Sequence, residues 1–325
     1  MDAPNILTLS EQLRTEADAY KFLEDLRWGD TPVCPHCGSA EKMYFLTPTN
    51  GSTRPTRTGS ASQRRVWKCA ACRKQFSVLT GTIFHGTKIP VRTWIFVVFE
   101  MCASKNGVAA REIQRKYGLT GKSAWHMLHR VRFAMERDPM AGLLSGRVVA
   151  DETWVGGKMR NRHGGTNPRK TSLDPKQRFA DKTAVVSLVS RETGEVRSRV
   201  VPEVSGDNLR AVLDEHVDQP ATHLHTDAGT HYRKIVGNFA EHSFVSHVQG
   251  EYVRGDVSTN QAENYFSQLK RSIDGTHHRV SREHLDRYLA EFDYRYSTRG
   301  LSDSERMAMF GRQVGGRRLT YRQAT

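Results

Sequence analysis

Two CxxC pairs constrain this chain more than any other feature. Cys34-Pro35-His36-Cys37 and Cys69-Ala70-Ala71-Cys72 each set two thiolates two residues apart. That spacing curls into a knuckle, and two knuckles close the tetrahedral four-sulfur shell that zinc prefers. Cys34, Cys37, Cys69 and Cys72 are therefore expected to hold one structural Zn²⁺. The competing reading is a redox pair or unrelated buried thiols. Strand-like pieces at Lys42–Leu46, Arg65–Lys68 and Gln75–Leu79 flank the knuckles, as a zinc ribbon requires. The 31 residues between the pairs exceed the usual spacing of about 15–20. Their middle, Pro48–Gln63, is poor in apolar residues and reads as an inserted loop that leaves the knuckles intact. His36 is a spare ligand beside four that already suffice. Cys102, in the apolar stretch after Trp94, is expected to be a core thiol.

Ahead of the ribbon, residues 10–28 have the apolar spacing of an amphipathic helix, with Ser10 placed as its N-cap. Behind it the chain turns helical from Pro90. Val108–Tyr117 and Gly121–Met135 are two helices separated by Gly118-Leu119, and the second carries Lys122, Ser123, His126 and Arg130. This is the outline of a helix-turn-helix, whose second helix reads DNA. A helical hairpin without DNA contact has the same outline.

Charge bears on that choice. Lys and Arg number 49 against 35 acids, a net charge of +14. Such a surplus attracts a polyanion, and nucleic acid is the commonest. The opening residues lack the apolar core of a secretory signal. The longest apolar run, Trp94–Phe99, is far below the ~20 residues that cross a bilayer. The chain is read as cytoplasmic, acting at the nucleoid.

After Asp138-Pro139 the pattern changes to strands at Arg147–Trp154, Thr183–Ser190, Glu195–Val204 and Thr222–Thr226, with helices at Asp207–Val217, Gln261–Ile273 and Glu283–Arg299. Asp151 lies in or at the end of one strand, Asp227 follows another, and Glu263 opens a helix. Three acids from three such elements can meet at one end of a mixed sheet. Clustered carboxylates repel unless a cation joins them, and hard oxygen ligands select Mg²⁺ or Mn²⁺. Two ions about 3.5–4 Å apart can drive in-line displacement at phosphorus. Each acid also has a plain reading: a strand-end residue, an Asx-turn former, a helix N-terminal charge.

Several segments carry a resemblance. They are Asp151-Glu152-Thr153-Trp154-Val155-Gly156-Gly157-Lys158, His225-Thr226-Asp227, the run Asn260–Arg271, Gly275–Ser281 and Tyr288–Tyr296, with RWGDTPVCPHCGS and FSVLTGTIFHGTKIPVRTW in front. In this order they resemble the insertion-sequence transposases that pair an N-terminal zinc ribbon with a DDE domain. The resemblance implies an RNase H-like fold over roughly residues 146–300. It implies that Asp151, Asp227 and Glu263 are the catalytic, Mg²⁺-binding triad. Lys270, two helical turns after Glu263 on the same face, matches a position that touches transposon-end DNA. Some relatives have Asn as the third member, so Asp256 is held in reserve for Glu263.

Around this set, Glu152 would point to the opposite strand face from Asp151. Glu291 and Arg295 are spaced as a helix ion pair or a brace near the site. Lys158–Lys182, basic and glycine-containing, is either an arm that orders on DNA or a solvated loop. His223, His225, His277 and His278 are expected to pack in strands and turns.

The whole reads as an α/β chain, α+β overall. Its parts are an N-terminal helix (1–30), a zinc ribbon (31–85), a helix-turn-helix region (86–140), an RNase H-like mixed-sheet domain (146–300) and a basic C-terminal tail (301–325). The expected activity is metal-dependent cleavage and 3′-end transfer of DNA, with two Mg²⁺ (or Mn²⁺) ions and one Zn²⁺. Lys270, Arg271, Lys122 and Arg130 are the expected DNA contacts. Transposon-end and target DNA are the expected partners, with a homo-oligomer assembling on DNA. The main rival is a non-catalytic DNA-binding regulator descended from such an enzyme; a nuclease or resolvase on the same fold and a zinc-stabilised protein-interaction module are further ones.

Overall fold

The computed structural model describes residues 5–46, 64–136, 142–156, 182–232, 235–246, 249–251 and 253–325. The expected loop at 48–63 and most of the expected arm at 158–182 lie outside them. The chain divides into two compact units, Met1–Met135 with Gly300–Thr325, and Glu136–Arg299.

In the first unit, the single helix expected at 10–28 is two. α1 (Ile6–Gln12) is capped by Asn5, not Ser10, and α2 (Glu16–Trp28) by Thr15. Thr15 and Asp18 form a reciprocal capping box, a local signal that starts a new helix regardless of the apolar period running through it. Strands β1 (Met43–Phe45), β2 (Trp67–Cys69) and β3 (Gln75–Phe76) make an antiparallel ribbon. α3 (Val91–Ala103) is apolar on most faces and mostly buried. Pro90 gives it no side-chain cap; the Glu16 carboxylate instead accepts from Val91 N–H and Arg92 N–H. α4 (Ala110–Tyr117) stops at Gly118, which is left-handed (φ 62°), and α5 (Gly121–Met135) follows.

The expected C-terminal tail is folded into this unit. α9 (Asp303–Gln313) packs against α2, α3 and α5, and α10 (Tyr321–Ala324) lies against α5. Met307, Phe310, Val314, Leu319 and Ala324 are buried. α9 approaches α2 so closely at Gly311 that a Cβ there would sit 2.4 Å from Leu26. Basic composition concealed this apolar spacing.

The second unit is a mixed five-stranded sheet in the order β6-β5-β4-β7-β8, of the kind an RNase H-like domain has. β4 (Leu144–Val155), β5 (Thr183–Ser190) and β6 (Val196–Val201) form an antiparallel meander. β7 (Val217–Asp227) and β8 (Glu241–Val245) run parallel to β4. Period-two alternation sorts β4 into two faces. Val148 and Ala150 join Leu224, Tyr232 and α6 (Gly206–His216) in one core; Val149 and Val155 join α7 (Asn260–Ser272) and α8 (Arg282–Ser297) in the other. A small hairpin of β9 (Val253–Arg254) and β10 (Val257–Ser258) precedes α7. Among the described residues no helix is long and apolar enough to cross a membrane.

Candidate active site and zinc centre

The four cysteines meet. Their sulfurs all lie within 4.8 Å of one another, and the pairs Cys34–Cys72 and Cys37–Cys69 are 3.7 Å apart. A tetrahedron with zinc–sulfur bonds of about 2.3 Å has edges of about 3.8 Å, so the thiols fit zinc and no disulfide joins them. Each knuckle is closed by backbone bonds, Cys34 N–H to Ser39 O and Cys69 N–H to Lys74 O. α2 locks onto the ribbon: buried Glu24 accepts from Arg65 Nε and Trp67 Nε1, both at 2.8 Å, and Trp28 meets Trp67 and Phe76 edge-on. His36 faces Gln75 O at 3.3 Å, and Cys102 is a buried residue of α3.

Sheet register places the first two acids. β4 and β7 pair in parallel through Val149 and His225, and two further residues along each strand are Asp151 and Asp227. The face of Val149 is the face of α7 and α8, so both acids look toward the helix that carries Glu263 in its exposed first turn. Burial pushes the Asp151 carboxyl up to about 7. A hydrogen bond from Glu152 N–H works against this, and the charges of Glu152, Asp227 and Glu263 push it further up. Among the described residues neither Asp151 nor Asp227 has a cationic partner; their polar contacts are backbone N–H groups of Glu152 and Gly229, at 2.8 and 2.9 Å. The acids feel one another's charge, yet they do not share the tight spacing of the cysteines, the one group within 4.8 Å among the described residues. Carboxylates repelling one another without a counter-charge suit a hard divalent cation.

Glu152 does face away from Asp151, toward the α6 core, where it accepts from the hydroxyl of fully buried Tyr232. Burial raises it to about 7, the Tyr232 bond pulling down and the Asp227 charge pushing up. The opposite face carries a buried network that sequence reading missed. Asp151 pairs with Ser187, and Ser187 with Ser198. The two serine hydroxyls are 2.8 Å apart, and Ser198 N–H and Oγ donate to Asp293 of α8. Tyr265, two residues after Glu263, donates to the same carboxylate at 2.6 Å. The network ties α7 and α8 to the strand row that holds Asp151. A serine inside each of two Val-rich strands was its only sequence trace.

The remaining candidates divide. Lys270 and Arg271 are exposed on α7, and Lys122 is exposed at the start of α5. Arg130 must be corrected: it is 7% exposed, donates to His85 O at 2.9 Å and stacks on Trp94. It is covered by neighbouring parts of the unit, which helical spacing alone could not show. Asp256 is exposed on the β9–β10 turn and pairs with Arg147. Glu291 and Arg295 form a buried pair at 3.0 Å, not a surface one. His225 is fully buried, His223 bonds Ser243, and His277 packs on Tyr288 and Phe292.

The raised acids predict a pH dependence. Asp151 and Glu152, at about 7, and Asp293, raised to about 6 mainly by burial, bind protons more readily folded than unfolded. Their contribution to stability is present near pH 4 and lost as pH rises through about 7. Metal-free protein should therefore melt at lower temperature at pH 8 than at pH 5.5. Added Mg²⁺ should raise the midpoint more at pH 8, where the acids are ionised; equal shifts at both pH values would contradict this.

The first unit thus carries a four-thiol cluster fit for zinc, and the second a mixed sheet that presents Asp151 and Asp227 on one face. Residues 14–75 match the transposase zinc-ribbon domain, and residues 143–297 match the ISXO2-like transposase domain. The chain is 26% identical over 285 residues, 86% of its own length and 90% of the relative's, to an uncharacterized protein in transposable element ISH50 of Halobacterium salinarum. The chain belongs to the insertion-sequence transposases that join a zinc ribbon to a DDE domain.

Proposed function

We propose that the chain is an active DNA transposase, which cuts a phosphodiester at the end of its element and passes the freed 3′-hydroxyl to target DNA. The observation that carries this reading is the placement of Asp151 and Asp227 on adjacent parallel strands, facing the helix of Glu263. Asp151, Asp227 and Glu263 would hold Mg²⁺ or Mn²⁺, two ions, which supply activation of the attacking oxygen and charge neutralisation at the leaving one.

The protein's own part is alignment. The sheet fixes two carboxylates, and the Ser187–Ser198–Asp293–Tyr265 network holds the helix of the third. Lys270, two turns along that helix, binds a phosphate of the end, with Arg271 beside it. In the first step water adds to phosphorus and the bond to the 3′-oxygen breaks, leaving a 3′-hydroxyl. In the second that hydroxyl attacks a target phosphodiester and displaces another 3′-oxygen, so the number of phosphodiesters is conserved. Neither step needs a protein nucleophile.

The ribbon and the α4–α5 region recognise the terminal repeats, through Lys122 among other contacts. The protein works at the nucleoid as a homo-oligomer that holds two ends. Joining of a 3′-end from the DNA flanking the gene to a target plasmid in Mg²⁺ tests this reading. DNA binding without any cutting, given correct ends, would favour the regulator.

A further inference from the structure

One side of α5 is covered by the chain's own C-terminal segment. Tyr321 lies edge-on to Trp125 and His126, with ring centroids 6.2 and 5.4 Å away. Arg317 donates to Phe133 O at 2.6 Å. Gly315 bridges to Thr82, and Val314, Leu319 and Ala324 are buried. The segment is thus anchored at several points, while Arg312, Arg318 and Arg322 stay exposed.

Residues 306–325 contain five arginines and no acid. Among the described residues Arg318, Arg322 and Lys122 have no carboxylate partner. Lys122 lies one helical turn before His126, the residue that Tyr321 meets. Positive charge is crowded around Arg318: burial lowers His85, and Arg318, Arg130 and Arg64 all add to the effect. Burial, with the charge of Arg318, likewise lowers Arg130 to about 10. Like charges held together without an acid favour an anion in the neighbouring solvent.

We propose that Arg318 and Arg322, with Lys122 at the start of α5, form a phosphate-binding surface for duplex DNA. The inference rests on the DNA-binding reading above and deepens it: the C-terminal segment adds backbone contacts to that of Lys122. Exposed arginines on an anchored segment fix position on a duplex without reading its sequence.

The test is fluorescence anisotropy of the full chain on labelled 30-base-pair duplexes of two sequences, from about 50 to 300 mM KCl. The variants are R318A/R322A and R318K/R322K, with melting and zinc content checked. Each lost phosphate contact lowers the slope of log affinity against log salt by about 0.9. The alanine pair should therefore lower it by about 2 and weaken both duplexes equally, while the lysine pair keeps the slope. Unchanged or tighter binding by the alanine pair, or equal loss in the lysine pair, would overturn the inference and leave the DNA reading standing. A wild type that binds neither duplex would overturn both.

Discussion

Asp151→Asn is expected to leave the protein folded and bound to DNA while lowering Mg²⁺-dependent strand cleavage by about 10³-fold or more. The carboxylate sits mid-sheet on a strand paired on both sides, so its position is set by the ladder and survives the change to a near-isosteric amide. In the proposed mechanism the amide cannot supply the negative charge that would draw a divalent cation in beside Asp227 and Glu263. Burial already disfavours ionised Asp151, so the metal-free variant should be at least as stable as wild type at pH 8 and should gain less from Mg²⁺. Asp227→Asn and Glu263→Gln should lose activity similarly. Any two together should be little worse than one, because residues that act as a unit are not additive. A variant cutting within tenfold of wild type would remove that residue from the triad.

The second large effect is in the ribbon. Cys69→Ser removes a ligand whose side chain is fully buried, and a structural zinc is worth about 10–16 kcal/mol of folding free energy in small zinc domains. β1, β2 and β3 are three, three and two residues long, and the apolar cluster beside the sulfurs is small: Phe76 with Trp28, Met43 and Trp67. It cannot replace the ion. Zinc content should fall from one per chain to near zero, and backbone amides of 43–45 and 67–76 should exchange hydrogen rapidly. Cys102→Ser should retain its zinc, since Cys102 lies in α3 apart from the cage. Full zinc occupancy in the Cys69 variant would mean that the ion is held elsewhere.

The ribbon was legible because its chemistry is local: ligand type and spacing define the knuckles whatever lies between them. The meander was legible for a similar reason, since runs such as TAVVSLVS have few ways to be buried. The edge strand β8 and the β9–β10 hairpin, too short and polar to stand out, were missed. β7 runs five residues further back than the THLHT segment suggested, carried by pairing of Val217 with Leu144 rather than by propensity.

The acids stand out one at a time, but the nearness of Asp151 and Asp227 depends on a parallel register between strands about 75 residues apart, which no local pattern encodes. Arg130 shows the opposite failure. A cation on a helix reads as surface, yet Trp94 and His85 give it a buried partner face and a carbonyl. The C-terminal segment hid its apolar anchors behind five arginines. Long-range packing decided each of these.

The most direct measurement is capture of a covalent junction between the 3′-end of the DNA flanking this gene and a supercoiled target, in Mg²⁺, by sequencing across the join. Wild type should produce junctions that carry the element's 3′-end, and Asp151→Asn should produce none while binding the same DNA. Cut ends without any junction would contradict the account and make the protein a nuclease on this fold.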